Sequence, residues 1–255
     1  MRRLWKTLIS LELCLWLLGL ACVALAAGSF GLKGEYAAAI NSMPLFSWLT
    51  GAPVAHSWWL WLTVALLTLL VVNTLSCSGE TLCQRWGRTG PIALVAPQLV
   101  HAGFLLIVAA HLMSALGASV QRFQVSEGAL LRLPDGRPYA VAAIAANASP
   151  TGMPIGFSSE LAIDPRDPAQ RVVISPNHPW FSGGYGVYIK QAEMYPYPMA
   201  LLEVHREPGA GMALAGAILF TIGNALVLWL RSKRGEEGGT SGLLADKTGQ
   251  GKSNR

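Results

Sequence analysis

Two histidines, His101 and His111, stand inside Val95–Gly117, VAPQLVHAGFLLIVAAHLMSALG, a run otherwise apolar enough to cross a bilayer. A neutral imidazole can ligate a metal, relay a proton or pair with an acid. At membrane depth an ionisable group is costly and normally faces a bundle interior or a cavity, so it is a functional candidate by default. His101 is the lead residue. Glu12, Asn73, Gln98 and Asn224 are the other polar groups set within apolar runs.

The elements that must position these groups follow from composition. Of 255 residues, 52% are hydrophobic and only 13% charged, the balance of a polytopic membrane protein. Four stretches are long enough to span: about Leu8–Ala27, Trp58–Cys77, Val95–Gly117 and Met212–Leu230. The net charge of +5 does not indicate nucleic acid, because the basic residues flank the apolar runs. Arg2, Arg3 and Lys6 precede the first run, Arg85 and Arg88 follow the second, and Arg231, Lys233 and Arg234 follow the fourth. The positive-inside rule then predicts a multi-pass protein of the cell inner membrane with both termini cytoplasmic. Residues 119–211 face outward.

Counted at 1.5 Å per residue from the cytoplasmic end of each span, Glu12, Asn73, His101 and Asn224 all fall roughly 6 to 11 Å into the inner half of the membrane. Gln98 lies one turn before His101 on nearly the same face. Interhelical hydrogen bonding accounts for Asn73 and Asn224. For Glu12 and His101, mutual pairing or a site is expected. An imidazole at this depth suits haem iron, with Glu12, Gln98 or Asn73 supplying the hydrogen bond that orients the ring. A self-contained two-histidine haem site is not expected, since His111 lies roughly 80° around the helix from His101. The second ligand would come from a partner or from solvent.

Between the third and fourth spans the periodicity changes. LLRL, YAVAAI, SSELAI, QRVVIS, GVYIKQ and ALLEVH alternate with turn formers at Pro134-Asp135-Gly136, Asp164-Pro165 and Gly183-Gly184, which predicts a β domain of six or seven strands. It contains no nucleophile beside a base, no phosphate loop and no metal-ligand cluster. His178 reads as a turn residue and His205 as interfacial, just before the fourth span. None of Cys14, Cys22, Cys77 and Cys83 falls in this domain, so a disulfide framework is not expected there. Trp58, Trp59 and Trp61 read as an interfacial belt. The first helix is expected to be retained, since its apolar run is long for a signal peptide and contains Glu12. The expected division is a three-helix membrane region (1–118), a β-rich domain (119–211), a fourth transmembrane helix (212–234) and a disordered tail (235–255).

The ordered set of features resembles the ResB family of system II cytochrome c biogenesis proteins. It consists of Ser57-Trp58-Trp59, Asn73 to Cys77 (NTLSC), His101, Glu127-Gly128, Gly152-Met153-Pro154 through Phe157-Ser158-Ser159 to LAIDP, Asn177 and Pro179 before GGYGVYIKQA, and Glu207-Pro208-Gly209. It covers roughly Trp5 to Leu230. The resemblance implies a membrane α+β fold of four transmembrane helices with a β-rich extracytoplasmic domain between helices 3 and 4. It further implies a membrane subunit of a cytochrome c maturation complex, which exports haem and ligates it to apocytochrome c with a CcsA/ResC-type partner. Haem would be held transiently and shared with that partner, with His101 matching the family's transmembrane histidine; Glu12, Gln98 and Asn73 belong to the site by the depth reading above. The chain would be an accessory subunit of a cytochrome c synthetase, not catalytic alone. Two features depart from the pattern: the outward domain is short, and the tryptophan-rich haem-handling motif, which belongs to the partner, is absent. Two alternatives stand beside this reading: an electron-transfer subunit with b-type haem, and a non-catalytic assembly scaffold.

Overall fold

A computed structural model describes residues 2–40, 43–134, 136–148, 154–164 and 167–249. The expectations at Asp135, Pro165, Gly152 and Met153 lie outside the described residues. Two units divide the chain. One comprises Met1–Gly31, Val54–His111 and Gly211–Arg255; the other comprises Leu32–Pro53 and Leu112–Ala210. The segment 32–53, read from sequence with the three-helix region, therefore groups with the β strands.

The first unit is helical. A short α1 (Arg2–Leu8) breaks before α2 (Leu11–Gly31). Ser10 makes that break. Its hydroxyl donates to the Thr7 carbonyl at 2.8 Å and accepts the Leu13 amide at 3.1 Å, capping the start of α2. Two short helices of the other unit follow, α3 (Glu35–Ala39) and α4 (Leu45–Gly51). The long α5 (Val54–Arg85) returns, and α6 (Pro91–Gly117) opens with proline at its first position, where the missing N–H costs nothing. After the strands, α7 (Ala210–Gly249) completes the unit. Among the described residues four helices are long and apolar enough to cross a membrane: Leu11–Gly31, Val54–Arg85, Pro91–Gly117 and Ala210–Lys233.

Two of these boundaries differ from the sequence reading. The second span does not stop at Cys77 but continues helical to Arg85, because nothing in SGETLCQR breaks a helix. The stretch read as a disordered tail is drawn with α7, which runs Ala210–Gly249.

Small residues let the helices approach. In α2, Leu17, Ala21, Ala24 and Gly28 form the buried stripe, facing Leu66 and Leu70 of α5 near its middle and the Trp59 ring at Gly28. A Cβ at Gly28 would lie 1.9 Å from that ring. Trp59 is thus a packing residue and not part of an aromatic belt, whereas Trp58 and Trp61 stay exposed. Between α6 and α7 the backbones themselves touch: a Cβ on Gly103 would meet the Phe220 amide nitrogen at 2.5 Å, and one on Gly216 the Gly103 carbonyl at 2.9 Å.

The second unit holds eight strands. They are β1 (Ser119–Ser126), β2 (Leu130–Arg132), β3 (Pro138–Ala148), β4 (Pro154–Asp164), β5 (Asp167–Ile174), β6 (Trp180–Ser182), β7 (Tyr185–Glu193) and β8 (Met199–Arg206). They form two antiparallel four-stranded sheets, ordered β1-β8-β7-β6 and β2-β3-β4-β5. Alternate residues of both sheets, including Val141, Leu161, Ile174, Val187, Leu202 and Val204, meet in one core. The six expected strands are all present. β1 and β6 were missed, the first because its polar residues dilute the pattern and the second because three residues carry no period.

Glu127 and Gly128 turn out to be structural. Gly128 takes a φ of 81°, its amide donates to the Val141 carbonyl at 2.8 Å, and the Glu127 carboxylate accepts the Ile144 amide at 2.7 Å. Together they pin the β1–β2 turn against β3. His178 sits exposed in a tight turn bridged to Ser175, as its sequence setting suggested.

Candidate functional site: the His101 seam

α6 is gripped on two sides. Val100, Gly103 and Ile107, spaced three and four apart, face α7 at Gly216, Phe220 and Gly223. Phe104 packs against the cluster of Leu17, Ala21, Leu66 and Leu70, and His101 Nδ1 stands 2.7 Å from the Ser78 hydroxyl of α5. His101 is half-buried. Its ring is thus held at the α5–α6 seam, with Nδ1 engaged and Nε2 making no hydrogen bond to the described residues.

Gln98, one turn earlier, has its side-chain nitrogen buried with no hydrogen-bond partner among the described residues. Pro97 precedes it inside the helix and lacks the N–H that the Ala93 carbonyl would otherwise receive. A buried amide donor without an acceptor costs about 1–3 kcal/mol. Orphans of this kind call for an explanation, such as an absent ligand.

The remaining members of the expected polar layer go elsewhere. Asn73 is buried, and its amide nitrogen donates to the carbonyls of Leu8 and Ser10, the latter at 3.3 Å. It satisfies the broken turn between α1 and α2, which is helix-to-helix bonding but not orientation of His101. Glu12 is exposed in the first turn of α2, where a carboxylate complements the helix dipole, and it is not bonded to His101. Asn224 bonds the Phe220 carbonyl of its own helix at 2.8 Å and joins no second helix. His111 is exposed. α2 begins at Leu11 and α5 ends at Arg85, so the helix ends differ from the apolar edges from which the depths of Glu12 and Asn73 are counted.

Ser78 was missed. It lies one residue beyond the expected end of the second span. The signal available was helical continuity through SCSGETLCQR, which places Ser78 and Glu80 on membrane-adjacent turns. Glu80 accepts the Trp5 indole N–H at 3.3 Å and also the Gln84 amide, tying α1 to the same end of α5.

A separate polar cluster occupies the outer face of the first sheet. Glu203 on β8 sits directly between Arg122 on β1 and Tyr188 on β7. Its carboxylate accepts Arg122 Nε at 2.9 Å, Lys190 Nζ at 3.2 Å and His205 Nε2 at 2.9 Å. Burial pushes the carboxyl pKa up, but the hydrogen bonds from His205, Arg122 and Lys190, with the attraction of Lys190, outweigh it and bring it to about 2. His205 also stacks at a tilt on Tyr188, ring centroids 4.7 Å apart. It is therefore a strand residue of the sandwich, on β8 (Met199–Arg206) just before α7.

Neither a protein-family model nor a curated protein matches the sequence. Among solved structures, the chain is similar to one titled cytochrome c heme lyase CcmF, at 18% identity and a TM-score of 0.45. That match covers 78% of this chain and 36% of the other, so the chain spans about a third of that protein's length.

Among the described residues no three His, Cys, Asp or Glu side chains converge on a common point, which leaves a metal site built only from this chain's ligand groups without a donor set. A haem needs less. The porphyrin supplies four of the iron's ligands, so one imidazole with a free nitrogen suffices on this side. His101 fits that requirement, and the orphaned Gln98 amide is a hydrogen-bond donor of the kind a propionate accepts.

Proposed function

We propose that this chain is a haem-handling membrane subunit of a cytochrome c maturation complex, of the ResB-like, system II kind. The observation that supports it is the half-buried His101, tethered through Nδ1 to Ser78 and with no hydrogen bond at Nε2 among the described residues. An imidazole that contacts iron keeps a nitrogen free and fixes the other.

The eight-stranded domain lies in sequence between the third and fourth membrane helices, and the basic residues flanking the spans favour an extracytoplasmic location for it. In this reading the sandwich docks apocytochrome c or the partner, while His101 receives haem from the inner leaflet. The second axial ligand comes from a CcsA/ResC-type membrane protein. Haem is cargo here: iron bound by His101 is passed on and the porphyrin leaves with the cytochrome. Ligation itself belongs to the assembled complex.

The test is haem content. The chain is purified with its co-expressed membrane partner, and haem is quantified per complex for the native protein and for His101→Ala. Loss of most of the haem supports the reading; unchanged occupancy overturns it.

A further inference from the structure

Hydroxyl groups on α5 have a habit. Thr63, Thr68 and Thr74 each donate to the carbonyl four residues back, Trp59, Val64 and Leu70, at 2.8 Å in every case. That is the usual destination of a hydroxyl inside an apolar helix, where it needs no other partner. Ser78 departs from it. Its hydroxyl engages a side chain on another helix, His101 Nδ1, at 2.7 Å, well within hydrogen-bond range.

That contact serves either tautomer of the ring: Ser78 donates to an unprotonated Nδ1, or accepts from Nδ1–H. A neutral imidazole carries one proton, and whichever nitrogen keeps it is unable to ligate. In the second arrangement the lone pair stands on Nε2. The same bond fixes rotation about the ring's side-chain torsions, so Nε2 points in one direction. We infer that Ser78 is the positioning residue for His101: it accepts the Nδ1 proton, holds the Nε2-ligating tautomer and sets the ring plane presented to haem iron. This rests on the proposed reading of His101 as a haem contact.

Gln98 points the same way. Its unpartnered buried amide lies one turn from His101 on the same helix, so the seam contains one engaged donor and one waiting donor. Ser78, His101 and Gln98 come from two helices whose sequence separation, 23 residues between Ser78 and His101, gives no local reason for them to meet.

The experiment uses the full chain in detergent, titrated with hemin, in four forms: native, His101→Ala, Ser78→Ala and Ser78→Thr. Affinity is read from the Soret band. The iron–imidazole stretch of the reduced protein is read by resonance Raman, because it reports the hydrogen bond at Nδ1 and would not move if Ser78 served packing alone. Loss of an outer hydrogen bond of this type typically weakens binding roughly 10–100-fold. Ser78→Ala is expected to fall in that range and to lower the stretching frequency, with Ser78→Thr restoring both.

If Ser78→Ala matches the native protein while His101→Ala loses haem, the positioning role is overturned and the haem reading stands. If Ser78→Ala weakens binding but leaves the stretch unmoved, or Ser78→Thr fails to restore it, the role is steric and the inference is likewise overturned. If His101→Ala binds hemin as the native chain does, the haem reading falls and the inference falls with it.

Discussion

The sandwich and the helical unit hide their residues by opposite means. In the sandwich the fully buried side chains are, Ser159 apart, large and apolar: Leu131, Leu161, Ile174, Leu202, Val141, Val187 and Val204. Among the described residues of the helical unit Leu70, Ser57 and Ala96 reach that degree of burial, and the tight contacts are made by Gly28, Gly103, Gly216 and Gly223. Water drives the first arrangement, since each apolar side chain withdrawn from it stabilises the fold. Lipid offers no such force. Helices there gain from close backbone approach and from a few hydrogen bonds, so small residues and isolated polar groups carry the specificity.

The contrast can be broken by exchanging the two strategies. Leu202→Ala in the sandwich should have the largest effect, about 2–5 kcal/mol, from lost transfer energy and a cavity. A fall in the unfolding midpoint of the β domain, followed by circular dichroism at strand wavelengths, measures it. The reverse change belongs in the helices: Gly103→Leu should destabilise by about 1–3 kcal/mol through overpacking against the α7 backbone, while a Leu in place of exposed Leu112's neighbour Met113 should cost little. Detergent-denaturation of the two variants side by side distinguishes close approach from simple apolarity. If Gly103→Leu is harmless, the small-residue account of this unit is wrong.

Polar contacts sharpen the comparison further. Asn73→Ala removes two hydrogen bonds at the α1–α2 break and should cost about 0.5–1.5 kcal/mol, visible as easier proteolysis near Ile9. In the sandwich, Glu203 has its folded pKa lowered to about 2 from 4.5. A carboxyl depressed on folding contributes stability that is present above its ordinary value and lost as pH falls from about 4.5 through about 2. Glu203→Gln should therefore flatten the acid limb of the thermal midpoint between about pH 4.5 and about pH 2, the smallest of these effects. An acid limb unchanged by the substitution would assign the sensitivity to other carboxylates.

Much of this was legible in the residues. Six strands were visible because alternation of apolar and polar side chains is forced by a sheet with one buried face, as in ALLEVH, where Leu202 and Val204 go inward and Glu203 and His205 outward. The His101 seam was only half legible. Burial cost singles out the histidine from sequence, but its partner depends on where α5 ends and how α5 and α6 are rotated, neither of which hydropathy reports.

The sequence alone determined four membrane-length helices, a β region between the third and fourth, and an imidazole that needed a reason to be where it is, because the energies of apolar transfer and of strand alternation are local to the residues concerned. Only the tertiary structure decided that Asn73 serves a broken helix, that Glu12 is exposed, that Glu203 gathers Arg122, Lys190 and His205, and that Ser78 meets His101. Those outcomes are set by helix rotation and strand register, which depend on glycine contacts and cross-strand neighbours far apart along the chain.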